Sequence, residues 1–227
     1  MLTKKLNKKT RRFASLIKAT TLLLASMTVS TFNTAALADD SVKRGEALSQ
    51  TCLGCHGAPG LRNPAPVYSI PMLGGQNKEY IVAALKAYKD KTRGHATMQA
   101  QSANLLEQDM QDIGAYFESV KGKSRGHLVN KAKAEAGKKI AGTCAGCHGA
   151  DGAGTNPPIK VNPKLAGQYE SYLIEALKQY RSGERVNPIM NGFAQTMSIQ
   201  DIEALAAWFA SQEADGVVAP QTDIFKF

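Results

Sequence analysis

The stretch Cys52-Leu53-Gly54-Cys55-His56 returns further along the chain as Cys144-Ala145-Gly146-Cys147-His148. Both copies follow the pattern C-x-x-C-H, and each residue of the second copy lies 92 positions after its counterpart. The same offset relates further identical residues, so the two copies align without an insertion or deletion. These pairs include Gly45 and Gly137, Pro71 and Pro163, Tyr80 and Tyr172, Tyr88 and Tyr180, Met98 and Met190, and Phe117 and Phe209. An offset that stays constant over this length indicates a duplicated domain.

The repeated motif predicts covalent haem attachment. Two cysteines three positions apart on a helical turn present both sulfurs on one side, where they can add to the two vinyl groups of one porphyrin. The histidine that follows then reaches the iron as its proximal ligand. The sequence therefore predicts two c-type haems. The predicted attachment residues are Cys52, Cys55, Cys144 and Cys147, and the predicted proximal ligands are His56 and His148.

Three other uses of paired cysteines are open to this sequence. A thioredoxin-like dithiol needs a βαβ setting and no following histidine. A four-cysteine zinc site could use two C-x-x-C pairs, but it leaves both histidines unexplained. Structural disulfides suit a secreted protein, but they do not explain the repeated histidine either. We therefore favour haem.

Methionine is the predicted sixth ligand of both irons, because a thioether favours ferrous iron and raises the reduction potential. The chain has seven methionines, and of these only Met98 and Met190 correspond under the offset of 92. We expect both in the loop before the last helix of each copy. His95 is the alternative in the first copy, where the second copy has Asn187.

The basic character of the chain belongs to its N-terminal segment. The formal charge is +9, but residues 1–38 hold seven lysines and arginines and no acidic residue. Without these seven, 21 basic residues stand against 19 acidic ones, which gives no case for nucleic-acid binding. A basic start, an apolar stretch and Ala36-Leu37-Ala38 predict a signal peptide over 1–38. The alternative is an uncleaved anchor.

The remaining chain divides into two domains, predicted over 39–120 and 132–227, with an exposed linker over 121–131 that is rich in Lys, Arg and Gly. Hydrophobic periodicity predicts three main helices in each domain and no strands. The predicted helices cover about 41–52, 78–90 and 107–120 in the first copy, and 132–144, 169–181 and 199–211 in the second. Long loops over 57–75 and 149–167 would wrap a functional group. We expect the C-terminal tail to pack on the body of the protein through its apolar residues Ile224, Phe225 and Phe227.

These features together resemble the two-haem cytochrome c4 family, whose halves are each a class I cytochrome c domain. The resemblance rests on the doubled C-x-x-C-H, on Pro71–Gln76 and Pro163–Gln168, and on the two methionine segments. It implies an all-α fold in which Pro71 and Pro163 offer backbone carbonyls to the rings of His56 and His148. It also implies that Gly45 and Gly137 allow helix one to cross helix three closely.

The resemblance further implies a periplasmic carrier of single electrons rather than an enzyme. Electrons would arrive from a quinol-oxidising complex or a dehydrogenase and leave to a terminal oxidase. We expect a monomer that can associate peripherally with the membrane. The alternatives are a cytochrome subunit of a periplasmic dehydrogenase, or a haem enzyme such as a peroxidase or a thiosulfate dehydrogenase.

Overall fold

The fold is seen in a computed structural model, which describes residues 37–122, 124, 126–155 and 158–219. The chain divides into a short unit, Met1–Asp40, and a large unit, Ser41–Phe227. Of the short unit, residues 37–40 are described, and they are helical. Residues 1–36 of the predicted signal peptide lie outside the described residues. So do Ile224, Phe225 and Phe227, whose apolar contacts the sequence predicted.

The large unit is helical, and its two repeats have the same order of five helices, with one small hairpin in the first repeat. In the first repeat these are α1 (41–48), α2 (Gln50–His56), β1 (Arg62–Pro64), β2 (Val67–Ser69), α3 (Lys78–Lys89), α4 (Ala96–Ser102) and α5 (Glu107–Ser119). In the second they are α6 (Lys131–Ile140), α7 (Gly142–His148), α8 (Glu170–Ser182), α9 (Pro188–Thr196) and α10 (Ile199–Ala210). The prediction of an all-α fold with three main helices in each repeat is confirmed.

Each repeat has an apolar core of its own, formed where the long helices pack. In the first repeat α3 packs on α5, and in the second α10 packs on α6 and α8. The buried side chains that form the first core are Leu53, Ile81, Val82, Leu85, Met110, Ile113 and Phe117. Those of the second are Ala141, Leu173, Leu205, Ala206, Phe209 and Ala210. Apolar residues at helical spacing on one face of each helix account for both clusters.

Glycine allows the close helix crossing that the family resemblance implies in both repeats. A Cβ atom added to Gly45 in α1 would lie 1.9 Å from the carbonyl oxygen of Asp112 in α5. A Cβ atom on Gly137 in α6 would lie 2.0 Å from the carbonyl oxygen of Ala204 in α10. No side chain fits at either distance, so only glycine permits these backbones to touch.

Three local expectations from the sequence are wrong. The segment 57–75 contains an antiparallel hairpin in which Asn63 pairs with Tyr68, rather than a loop without strands. Met98 and Met190 lie in the short helices α4 and α9, not in loops. The linker is not exposed throughout, because Ser124 is buried and its N–H donates to the carbonyl of Ala214.

The two repeats meet across an interface with approximate two-fold symmetry. Arg93 and Arg185, which are 92 positions apart, pair with each other in an isolated antiparallel bridge. The segment after α10 also crosses to the first repeat, where Val218 exchanges two backbone hydrogen bonds with Gly74. The ion pair of Lys160 with Glu118 adds a contact at the rim. The bridge between Arg93 and Arg185 joins equivalent positions of the two repeats, as a contact on the axis of an isologous interface does.

Within the described residues, no helix combines the length and the apolar character needed to cross a membrane.

Candidate haem sites

The C-x-x-C-H motifs lie on helices whose last residue is the histidine. Helix α2 ends at His56 and helix α7 ends at His148, and both rings are buried. Each pair of cysteines occupies the turn before the histidine, as the spacing predicts. The structure therefore places both cysteines and the buried histidine of each motif on one short helix.

None of the four cysteines is paired in a disulfide. Burial raises the pKa of the Cys52 and Cys144 thiols, whereas a reactive dithiol or a zinc-binding thiolate needs a lowered pKa. The described residues also contain no cluster of three or more Cys, His, Asp or Glu side chains that could hold a metal ion. The described residues therefore show no cluster of the kind that a four-cysteine zinc site requires.

Each histidine ring is held by one backbone carbonyl. The Nδ1 atom of His56 lies 2.7 Å from the carbonyl oxygen of Pro71, and that of His148 lies 2.8 Å from the oxygen of Pro163. A carbonyl only accepts, so Nδ1 must carry the proton and Nε2 is left with a free lone pair. Burial lowers the pKa of both rings, which keeps them neutral. A neutral imidazole with a fixed tautomer is the form that binds a metal.

The two methionine helices begin with equivalent caps. The ring Nδ1 of His95 accepts a hydrogen bond from the Met98 N–H at 3.2 Å. In the second repeat the Asn187 side chain accepts from the N–H of Met190 at 3.1 Å. His95 thus has the capping role that Asn187 has in its repeat, which favours Met98 over His95 as the iron ligand. Met98 also packs against the core that contains Leu53.

Two buried arginines at the interface lack an acidic partner. Arg93 lies over the ring of Tyr88 at 4.5 Å and donates to the hydroxyl of Tyr172 at 3.1 Å. The symmetric contacts of Arg185 are Tyr180, also at 4.5 Å, and the hydroxyl of Tyr80 at 2.8 Å. Among the described residues, no carboxylate forms an ion pair with either guanidinium.

This arrangement makes the interface electrostatically positive. Burial opposes ionisation of Tyr80, but the charges of Arg185 and Arg93 outweigh it and lower the pKa of Tyr80 to about 7. A buried charge without a counter-charge is costly, and an anion bound to these guanidinium groups would relieve that cost. The carboxylates of a haem have the required charge, so the residues present fit the group that the motifs predict.

Comparison with known proteins supports the same class. The family described as Cytochrome c matches the chain twice, over residues 42–121 and 134–213. The fold and the repeated site thus define a protein with two tandem c-type cytochrome domains, which carries two covalently bound haem c groups.

Relatives narrow this class further. Cytochrome c4 of Pseudomonas aeruginosa is 35% identical over 175 residues, which cover 72% of this chain and 85% of that protein. The crystal structure of reduced recombinant cytochrome c4 from Pseudomonas stutzeri aligns with a TM-score of 0.66 and 32% identity, and covers 76% of this chain and 98% of that one. The chain belongs to the dihaem cytochrome c4 family and is a dihaem electron carrier of this type.

A relative with a different printed role also matches. The thiosulfate dehydrogenase electron acceptor of Stutzerimonas stutzeri is 28% identical over 176 residues, which cover 72% of this chain and 79% of that protein. That protein is named as the electron acceptor of a thiosulfate dehydrogenase.

Some residues of the site were not predicted from the sequence. Arg93 and Arg185 recur at the offset of 92 and precede the methionines by five residues, so the repeat could have indicated them. Gln76 and Gln168 belong to the matched segments, but their contacts depend on how the repeats pack.

Proposed function

We propose that this protein carries single electrons outside the cytoplasm, with one haem in each repeat. The proposed attachment residues are Cys52, Cys55, Cys144 and Cys147, and the proposed iron ligands are His56 with Met98 and His148 with Met190. The observation that supports this most strongly is the duplicated contact of a motif histidine with a proline carbonyl, at 2.7 and 2.8 Å. A bound haem supplies an iron that accepts and releases one electron.

The protein's own residues would keep the ligand field constant. Pro71 and Pro163 fix the orientation of the two imidazole rings, and the hydrogen bond makes each ring a stronger donor. The caps formed by His95 and Asn187 fix the start of the two methionine helices, from which Met98 and Met190 would bind the irons as second ligands. With Met98 and Met190 as second iron ligands, a bound haem would keep no open position for a substrate, and we therefore propose a carrier rather than an enzyme.

The buried arginines would bind the haem carboxylates. Arg93 and Arg185 are held in place by tyrosines of the same repeat and of the other one, so their guanidinium groups are fixed before any anion binds. Such preorganised donors bind carboxylates with little further ordering cost. The two haems would then share one region of positive charge at the interface between the repeats.

Domain limits and location form part of the proposal. We propose a signal peptide over 1–38, the first cytochrome domain over 39–120, a linker over 121–131 and the second domain over 132–227. The mature protein would work in the periplasm, with peripheral membrane contact as a further feature. N-terminal sequencing of protein from the periplasmic fraction tests this: a start at Asp39 supports it, and a retained Met1 contradicts it.

The proposed partners are a quinol-oxidising complex or a dehydrogenase as donor and a terminal oxidase as acceptor, with the protein acting as a monomer. Since the chain after residue 38 is nearly neutral, long-range steering by net charge would be weak. Electron transfer should therefore depend on local contacts and only modestly on ionic strength. Stopped-flow reduction by each candidate donor over a range of salt concentrations tests this.

A second candidate donor is a thiosulfate dehydrogenase, which the similarity to the Stutzerimonas stutzeri acceptor favours. The chemistry in this chain would be unchanged, and only the partner would differ. Purified holoprotein mixed with thiosulfate and that dehydrogenase should be reduced rapidly if this candidate is right. Reduction by thiosulfate with no dehydrogenase present would instead indicate an enzyme and contradict the carrier proposal.

A further inference from the structure

Gln76 and Gln168 form reciprocal contacts between the repeats. The two side chains are equivalent under the offset of 92, and each is 3% exposed. Each follows a glycine with a left-handed backbone, Gly75 at φ +77° and Gly167 at φ +71°. This conformation is available to glycine at little cost, and it directs the next side chain into the other repeat.

Each glutamine binds one residue of the opposite repeat through both of its polar atoms. The Met72 N–H donates to Oε1 of Gln168 at 3.0 Å, and Nε2 of Gln168 donates to the Met72 carbonyl at 2.9 Å. The Lys164 N–H donates to Oε1 of Gln76 at 2.8 Å, and Nε2 of Gln76 donates to the Lys164 carbonyl at 3.0 Å. Both carboxamides are therefore satisfied across the interface, as buried polar groups require.

The residue bound by Gln168 belongs to the peptide group that orients His56. The Met72 N–H and the Pro71 carbonyl are the two ends of one planar peptide group. Gln168 accepts from the N–H end, while the ring of His56 donates to the carbonyl end. Hydrogen bonds in such a chain polarise one another, so a bond at the N–H makes the carbonyl a stronger acceptor.

The second repeat has the same chain of contacts with the roles exchanged. Gln76, in the first repeat, accepts from the Lys164 N–H. The same peptide group ends in the Pro163 carbonyl, which accepts from the ring of His148. Met72 and Lys164 have different side chains, but the contact uses only their backbones, so the arrangement is independent of that difference.

We propose that Gln168 is a positioning residue for the haem iron bound by His56, and that Gln76 is one for the iron bound by His148. Each repeat thereby controls the proximal ligand of the other. This inference rests on the proposed function, in which the two histidines are the proximal ligands. A stronger acceptor at Nδ1 makes the imidazole a better electron donor and stabilises ferric iron. Loss of the glutamine contact should therefore raise the reduction potential of the opposite haem.

The test uses full-length holoprotein and two variants, Gln168→Met and Gln76→Met. Methionine has a similar size but neither the donor nor the acceptor of the carboxamide. Stepwise oxidation is followed by NMR, with haem methyl signals assigned to each repeat through their contacts with its own core. Gln168→Met should raise the potential of the haem in the first repeat more than that of the second, and Gln76→Met should do the reverse.

Ser171→Ala provides the matched control. The Ser171 hydroxyl accepts from the Ser69 N–H at 2.9 Å across the same interface, but it contacts neither Met72 nor Lys164. This variant should move both potentials less than either glutamine variant does. If Gln168→Met does not fold, Gln168→Asn carries the same expectation, because its shorter side chain cannot span both backbone groups.

A shift confined to the haem of the mutated repeat, equal shifts of both haems, or no shift would overturn the inference. The proposed function is judged separately on the wild-type protein, by the spectrum of two low-spin haems linked by thioethers. A normal wild-type spectrum without the crossed pattern rejects only the inference. A wild-type spectrum without those haems rejects the proposed function.

Discussion

Arg93 and Arg185 lie opposite each other in a backbone bridge, and each guanidinium contacts a tyrosine from its own repeat and one from the other. Two buried positive charges therefore lie at the junction of the repeats. A positive charge near an iron favours the less positive, ferrous state. The junction should raise the reduction potential of both haems.

Replacing one of these arginines tests that effect. Arg185→Leu should lower the midpoint potential of at least one of the two haems in the holoprotein, as measured by optical redox titration. Arg181→Leu is the control, since Arg181 is exposed in the last turn of α8, four residues before Arg185, and its charge is screened by water. The control should shift the potential less; an equal shift would show that the buried position of Arg185 has no special effect.

Helix α5 lacks the N-cap side chain that helix α10 has. In α10, Oγ of Ser198 accepts from the Asp201 N–H at 3.1 Å, whereas Leu106 at the equivalent position is 67% exposed and has no side-chain acceptor. The backbone half of the box is present, because the Leu106 N–H donates to Asp109. Leu106→Ser should therefore raise the free energy of unfolding by about 1 kcal/mol.

Chemical denaturation of the holoprotein measures this gain. Ser198→Ala is the reciprocal variant and should lower the free energy of unfolding by about 1 kcal/mol. No gain for Leu106→Ser would mean that the helix start adopts a different geometry.

The helix crossing at Gly137 should not tolerate a methyl group. Gly137→Ala would place Cβ 2.0 Å from a backbone oxygen of α10, which cannot move without shifting that helix. We expect a loss of about 3 kcal/mol or more, or a failure to mature. Gly142→Ala is the control, because nothing lies within 4 Å of its added Cβ. Thermal unfolding of both variants tests this prediction. If Gly137→Ala were as stable as Gly142→Ala, the close approach of α6 and α10 would be contradicted.

Asp112 gives the first repeat a pH-dependent contribution to stability. Its side chain is buried and pairs with Arg44 at 2.9 Å, with further hydrogen bonds from Ser41 and Gln108. Burial alone would raise the pKa of this carboxyl group, but these partners outweigh burial and lower it. The folded state therefore holds the proton less tightly than the unfolded state, and stability falls as the pH drops through this range.

Asp112→Asn should remove that part of the acid dependence. The stability contribution is present above the unfolded pKa of about 3.9 and disappears as the pH falls through the lower, folded value. The variant should be less stable than wild type at neutral pH by about 1–3 kcal/mol, and the difference should shrink in acid. Denaturation at several pH values measures it. Glu203→Gln, which breaks a surface pair with Lys133, should change stability by less than about 1 kcal/mol.

The helices and the haem motifs could be predicted because their signals are local. The apolar spacing of Ile81, Leu85 and their equivalents determines the long helices, and the C-x-x-C-H pattern carries its own chemistry. The hairpin at 62–69 could not be predicted in this way, because Tyr68 is buried partly against Tyr172 of the other repeat. Its stability depends on tertiary contact rather than on alternation along the strand.

The second methionine helix has a local sequence signal at its start. Asn187 followed by Pro188 is a typical helix start, with an N-cap side chain and a proline in the first turn. His95 is an unusual cap, and it gives no such signal in the first repeat. The glutamine contacts across the interface were beyond prediction, because they depend on how the two repeats pack.

The spectrum of the oxidised holoprotein tests the central claim most directly. If His56 with Met98 and His148 with Met190 fill both axial positions, both irons should be low-spin, and the methionine–iron charge-transfer band should correspond to two haems per chain. Met190→Ala should halve that band. A high-spin iron in the wild-type protein, or a band that corresponds to one haem, would contradict the assignment of two closed electron-transfer sites.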